Sequence, residues 1–271
     1  MTSPVSCRAC AASLAVFTWF ALGTTPAPAA DEARPCRAQA DIARFPQPLA
    51  RMADRLARHK PLKIVALGSS STAGAGASSP AGSYPSRLAA SLQKRFPGED
   101  ITVLNRGVNG EEARDMLNRL ESTVLAEKPD LVLWQVGTNS VLRDQAVSDV
   151  GGNIRDGLAR LKSSGADVVL IDPQFAPKVL AKPEAERMVN LIAAAAKEAN
   201  VDLFPRFAVM RRWHENENIP FEAFVSPDGL HMNDWSYGCV AQLLGDSIGE
   251  AATRYQAVAG TTPAPRVRPA P

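Results

Sequence analysis

The sequence predicts an α/β fold, a five-stranded parallel sheet with helices on both faces. Three observations carry that prediction. Five short apolar runs alternate with segments of helical spacing. Most of the runs are apolar throughout rather than alternating, as strands covered on both faces must be. The connections are short, so each helix returns the chain to the same edge of the sheet, and sites collect at the carboxyl ends of the strands. With 271 residues, 45% apolar and 21% charged, one full core can be buried without metal, disulfide framework or partner. Thirty Lys and Arg nearly balance twenty-eight Asp and Glu, and a formal charge of +2 is too small to suggest a polyanion-binding surface. Nucleic acid is not an expected partner.

In chain order, residues 1–30 read as an address. Arg8 precedes an apolar run over 11–22, which is followed by the small-residue site Ala27-Pro28-Ala29. This is the pattern of a secretory signal peptide cut near Ala29 or Ala30, which predicts a periplasmic or secreted protein. A membrane anchor needs about 20 apolar residues, so no stable membrane insertion is expected after cleavage. Cleavage removes Cys7 and Cys10 and leaves Cys36 and Cys239, which export permits to pair without demanding it. Residues 31–60 form a polar, Arg-rich N-terminal helical segment with Leu49, Met52, Ala53 and Leu56 at helical spacing.

The α/β core is then expected over 61–257, with strands at 62–67, 101–104, 131–136, 168–171 and 201–204. Tyr84, Leu88, Leu92 and Phe96 make one helical stripe between them; Ala113, Leu117, Leu120 and Val124 make a second; Val147, Val150, Ile154, Leu158 and Leu161 make a third. Residues 258–271 read as a disordered tail, with four prolines after Thr261 and no apolar cluster. No repeat of solenoid period is present.

Chemistry is sought at the strand ends. After the first strand comes Gly68-Ser-Ser-Ser-Thr-Ala-Gly-Ala-Gly. A phosphate-binding Walker loop would end in Gly-Lys-Ser/Thr, and no lysine lies between Lys63 and Lys94; the third glycine of a dinucleotide fingerprint would fall on Ser79. What remains is a hydroxyl cluster on a turn, either a flexible loop or a nucleophile with free backbone N–H groups beside it.

A serine nucleophile needs a base, and the chain has three histidines. His59 precedes the first strand, at the wrong edge of a parallel sheet. His214 lies in Arg-Arg-Trp-His-Glu-Asn-Glu-Asn, which reads as solvated polar surface and lacks zinc spacing. His231 follows the last strand with Asp228 three residues before it, so one local turn can set the carboxylate against one imidazole nitrogen while the other faces a nucleophile. Asn139, in Gly137-Thr-Asn-Ser, can donate to a developing oxyanion or close an Asx turn, and the glycine turn Asn105-Arg-Gly-Val-Asn-Gly110 offers a further backbone N–H.

These four blocks, in this order, resemble the SGNH or GDSL hydrolases from residue 62 to about 250. The resemblance implies a flavodoxin-like three-layer sandwich. It also implies that Ser70 is the nucleophile, His231 the general base and Asp228 its orienter, with the Ser70 N–H, the Gly110 N–H and the Asn139 amide forming the oxyanion hole. The family's Gly-Asp-Ser is Gly68-Ser69-Ser70 here, and its Gly-x-Asn-Asp ends in Ser140. Ser69 and Ser71 flank the candidate nucleophile and leave the choice among the three open.

Two further motif matches are set aside. Gly245-Asp-Ser-Ile-Gly249 has the letters of a nucleophile elbow but lies in a helical pattern with no histidine downstream, and Ser91-Leu-Gln-Lys94 has β-lactamase spacing in mid-helix.

The expected activity is therefore that of an exported serine hydrolase acting on small-molecule or polysaccharide-linked carboxylic esters, with no metal or organic cofactor implied. A thioesterase or lysophospholipase on longer acyl chains is the nearest alternative, and a non-catalytic carbohydrate- or envelope-binding module the one from another class. Short acyl groups are expected, because the turn around Ser70 is Ser, Ala and Gly. The main insertion, 207–224, interrupts Met210, Trp213, Ile219 and Phe221 with charged residues and reads as a polar-faced rim.

Overall fold

A computed structural model describes Cys36 and residues 42–261, with side chains through Arg254. The expected signal peptide and the end of the expected tail lie outside the described residues. The predicted sheet is present: β1 (Leu62–Gly68), β2 (Ile101–Gly107), β3 (Leu131–Gln135), β4 (Asp167–Ile171) and β5 (Asp202–Phe204). All neighbours are parallel in the order β2-β1-β3-β4-β5. The order reverses between β1 and β3, so a crevice opens beyond the carboxyl ends of these strands.

Register explains the main shift in boundaries. β2 continues past the predicted 104 to Gly107, pairing Asn105 with Ala66, Arg106 with Leu67 and Gly107 with Gly68. Polar residues are tolerated there because β2 is an edge strand and only partly covered. Asn105-Arg-Gly is thus strand, not turn, and the turn begins at Val108.

Helices Tyr84–Arg95 and Asp234–Thr261 pack on one another on one side of the sheet, and Val147–Ser163, Ala185–Ala199 and Ala113–Asn118 cluster on the other. Trp134 of β3 is fully buried beneath the second group. Its ring occupies the space where a Cβ on Gly157 would stand, 2.2 Å from Trp134, and its Nε1–H donates to Met116 Sδ at 3.2 Å. The predicted stripe 113–124 is two helices rather than one, Ala113–Asn118 and Leu120–Thr123. Arg119 leaves helical geometry between them at φ −111, ψ 4.

Among the described residues of the expected 31–60 segment, the N-terminal helix is Ala50–Ala57, and it buries the expected Met52, Ala53 and Leu56. Leu49, at its N-cap, has no side-chain acceptor to offer. The Asp167 carboxylate at the start of β4 supplies it, accepting the N–H groups of Arg51 at 3.3 Å and Met52 at 2.9 Å. Burial pushes the Asp167 carboxyl up to about 6, against those bonds. Cys36 and Cys239 are joined, with Cα atoms 5.2 Å apart, tying the N-terminal segment to the final helix.

That final helix runs to Thr261, past the predicted boundary at 258, since the first proline of the tail is Pro263. It contains the Gly245–Gly249 motif, while Ser91–Lys94 lies in the helix Tyr84–Arg95 packed against it. A Cβ on Gly245 would stand 2.7 Å from Ser91 Oγ, and one on Gly249 1.9 Å from Arg95 Nε, so these glycines let the helix cross Tyr84–Arg95 closely. Among the described residues no helix is long and apolar enough to cross a membrane.

Candidate active site

β1 ends at Gly68, where a Cβ would stand 2.1 Å from Thr72 Oγ1, and the chain turns at once into the short helix Ser70–Ala73. That turn sorts the three serines. Ser69 is buried and donates both its N–H, at 2.9 Å, and its hydroxyl, at 3.0 Å, to Gln135 Oε1 of β3. Ser71 is buried. Ser70 is half-buried and its Oγ lies 2.8 Å from His231 Nε2.

The histidine is carried on a tight loop. Val225 bridges Met232, Ser226 N–H donates to the His231 carbonyl at 2.8 Å, and Gly229 takes φ +69 at the tip. Asp228 organises the loop from within. Its Oδ1 accepts the Ser226 hydroxyl at 2.8 Å and the N–H groups of Leu230 and His231 at 2.8 and 2.9 Å, while Oδ2 meets His231 Nδ1 at 2.5 Å. Partial burial works to raise the Asp228 carboxyl, but the His231, Leu230 and Ser226 hydrogen bonds outweigh it and hold the group far below the usual carboxylate range.

The glycine-rich loop serves this approach. A Cβ on Gly76, at φ +88, would lie 2.4 Å from the Met232 carbonyl and 2.9 Å from His231 Cβ. Only glycine lets the loop after Ser70 pass so close to the histidine.

The other two blocks close on the same strand ends. Asn105 Nδ2 donates to the Thr72 carbonyl at 2.8 Å and its Oδ1 accepts the Gly107 N–H at 2.9 Å, seating the Ser70 helix on β2. Gly110 takes φ +79 in the following turn. Asn139 stands in the first turn of the helix Thr138–Leu142, directly after β3, and its Nδ2 donates to the Glu111 carbonyl at 2.7 Å. One of its two amide hydrogens thus fastens the turn carrying Gly110. Ser140 is buried and lines a cleft of about 330 Å³ together with Glu112, Gln145 and Asp149.

His59 is where the sequence places it, exposed and paired with Glu99 at 2.7 Å before β1. His214 corrects its prediction: it is not solvated surface. Its ring stacks on Phe221 at 4.0 Å and its Nδ1 meets the Ile219 carbonyl at 3.0 Å, because the chain after helix Arg206–Glu215 folds back over it. Among the described residues no cluster of His, Cys, Asp and Glu is arranged to hold a metal ion.

Two supporting residues escape sequence reading. Gln135 sits beneath Ser69, as above. Gln174 Oε1 accepts from Thr138 Oγ1 and from the buried Arg206, each at 3.0 Å, and its Nε2 donates to the Leu230 carbonyl at 3.2 Å. It therefore ties the Asn139 helix to the His231 loop from below. Both residues act through contacts distant in sequence, and no local spacing signals them.

The chain resembles known proteins over most of its length. An arylesterase of Vibrio mimicus is 26% identical over 166 residues, 61% of this chain and 78% of its own length. A solved acetyl-xylooligosaccharide esterase of Geobacillus stearothermophilus superposes with a TM-score of 0.61 at 20% identity, over 69% of this chain and 94% of that one. A two-domain esterase active on acetylated mannans gives a TM-score of 0.70 at 20% identity, over 87% of this chain and 61% of that one. Over residues 35–254 the chain matches the Non-GDSL lipase-like family, and with Gly68-Ser69-Ser70 standing where other SGNH hydrolases have Gly-Asp-Ser, it belongs to that family.

Proposed function

We propose that the protein is an exported serine esterase that removes short acyl groups, acetyl foremost, through a Ser70–His231–Asp228 triad and an acyl-enzyme. The observation that carries this reading is the hydrogen-bonded line from Ser70 Oγ through the His231 ring to Asp228, 2.8 Å on one side and 2.5 Å on the other. His231 Nε2 takes the Ser70 proton as Oγ attacks the ester carbonyl carbon. Asp228, ionised throughout, keeps the imidazole proton on Nδ1 and steadies the imidazolium that forms. The oxyanion is held by the N–H of Ser70, which as a first helical residue has no intrahelical partner, by the N–H of Gly110 and by the Asn139 amide. His231 then protonates the departing alcohol. Water, deprotonated by the same nitrogen, attacks the acyl-enzyme and releases the carboxylic acid and Ser70.

Acetyl esters are favoured by the small residues around Ser70 and by the acetylated oligosaccharides and mannans on which the structural relatives act. Export is supported by the Cys36–Cys239 bridge and the N-terminal pattern.

Turnover of 4-nitrophenyl acetate, together with labelling by a fluorophosphonate, tests the chemistry. The wild type should turn over the ester and carry the label on Ser70, and Ser70→Ala should lose both; wild-type turnover by Ser70→Ala overturns the assignment. Recovery of the mature chain outside the cytoplasm, beginning near Ala30, is the expected result for export, and an intact N-terminus in the cytoplasm contradicts it.

A further inference from the structure

We infer that Arg119 and Glu111 form a positioning pair that sets the oxyanion hole, an inference that rests on the proposed roles of Gly110 and Asn139. Arg119 occupies the break between helices Ala113–Asn118 and Leu120–Thr123, where its backbone leaves helical geometry. From there its Nε meets both carboxylate oxygens of Glu111 at 2.8 Å, and its Nη2 meets Glu111 Oε2 at 2.6 Å. The same Nη2 donates to the Arg106 carbonyl at 2.8 Å and lies 3.5 Å from that of Gly68. One guanidinium thus grips the carboxyl ends of β1 and β2 and a side chain of the next turn.

The pair is not surface decoration: the side chains are only 16% and 15% exposed. Forming it strips two charges of most of their water, which a fork-to-carboxylate geometry with further carbonyl acceptors can offset and a loose contact cannot. What it holds is the peptide on which the two remaining oxyanion donors depend. Glu111 directly follows Gly110, which at φ +79 has the freedom of a glycine turn, and the Glu111 carbonyl receives the Asn139 amide at 2.7 Å. Anchored strand ends therefore fix Arg119, Arg119 fixes the Glu111 carboxylate, and the Glu111 carbonyl fixes the direction of Asn139. Neither Arg119 nor Glu111 touches the reacting ester. They act on the rate by keeping two donors aimed where charge develops.

The test is a double-mutant cycle on the whole mature protein with 4-nitrophenyl acetate. Arg119→Lys keeps the charge and loses the fork. It should lower kcat about 10- to 100-fold with KM within about 3-fold, the cost of a misplaced rather than a missing donor. In an Asn139→Ala background the same change should cost at least about 3-fold less than in the wild type, because one of the two donors it positions is already gone. Arg155→Gln, which breaks the exposed Arg155–Glu198 pair, should leave kcat unchanged. If Arg119→Lys does not fold, Glu111→Gln enters the same cycle, with the same sub-additive result expected. Wild-type kcat in the folded variant, or an equal loss in both backgrounds, overturns the inference while leaving the triad intact. Asn139→Ala with wild-type kcat overturns the proposed oxyanion hole and this inference with it.

Discussion

Ser69 donates two hydrogen bonds, one from its backbone and one from its side chain, to a single oxygen of Gln135. Because a backbone N–H can only donate, the oxygen of the Gln135 amide must be the atom that faces Ser69. Thr72 Oγ1 adds a third bond at 3.3 Å. Ser69, which stands at the aspartate position of the Gly-Asp-Ser motif that the sequence resembles, is therefore matched to a glutamine beneath it, and the local fold does not need the carboxylate.

Ser69→Asp would set a carboxylate against an acceptor oxygen in a buried site. The expected cost is about 2–4 kcal/mol of stability at neutral pH, smaller in acid where a protonated carboxyl can donate. Ser69→Ala loses one hydrogen bond, about 1 kcal/mol, and keeps kcat within several-fold. Urea unfolding of both variants at pH 5 and pH 7 checks the contrast, and a Ser69→Asp protein as stable as the wild type at pH 7 removes the explanation.

Much of this geometry was legible in the residues themselves. All five strands begin, and all but β2 end, within a residue of the apolar runs, because strands buried on both faces read as continuous apolarity. Asp228 and His231 were readable for a different reason: their interaction is local, a carboxylate closing its own turn. Arg119, Glu111, Gln135 and Gln174 were not, since each works through a partner brought near only by the sheet. His214 was misread because its charged neighbours point outward while its own ring is covered by Phe221. The strand reaching Gly107 was missed because edge position, which tolerates Asn105 and Arg106, is a property of topology rather than of composition.

Asp228→Asn separates folding from catalysis. Its remaining carbonyl oxygen can still accept the Ser226, Leu230 and His231 bonds that shape the loop. The amide nitrogen then faces His231 Nδ1 and, as a donor, favours the wrong tautomer. We expect kcat to fall by about 10³- to 10⁴-fold, somewhat less than for Ser70→Ala or His231→Ala, with an unfolding midpoint close to wild type. Loss of folding together with activity would mean that Asp228 matters chiefly to the loop.

Asp167 gives a stability prediction far from the chemistry. Burial raises its native carboxyl to about 6, so the native state keeps a proton that the unfolded chain, with an ordinary aspartate, releases near pH 4. Its contribution is therefore greatest in acid and is lost as pH rises from about 4 to about 6. Asp167→Asn cannot titrate and keeps one acceptor for the helix Ala50–Ala57. The variant should be the less stable protein at pH 4, and the gap should narrow by about 2 kcal/mol by pH 7. Chemical unfolding at both values, with esterase activity unchanged, is the measurement; a gap that widens with pH reverses the sign and refutes the assignment.

The expectation of short acyl groups rests on where the apolar side chains of the main insertion have gone. Residues 207–224 are the main insertion that could wall a long-chain pocket, and their apolar members are already committed. Phe207, Met210, Trp213, Ile219 and Phe224 are buried; Phe221 stacks on Phe175 and His214, and Phe207 and Trp213 meet Phe175, Phe224 and Trp235 edge to face. Among the described residues, only Val108 and Leu180 are large apolar side chains left well exposed. Val108 opens the turn after β2 and Leu180 ends the helix Pro177–Leu180 beyond β4. A chain of ten carbons would leave most of its methylenes in water and gain little of the roughly 0.8 kcal/mol that each one yields on burial. kcat/KM for 4-nitrophenyl esters should therefore be highest at acetyl to butyryl and fall toward decanoyl. A steady rise along that series instead would require an apolar pocket that the packing of Trp213 and Phe221 does not leave, and would turn the assignment toward a long-chain lipase or thioesterase.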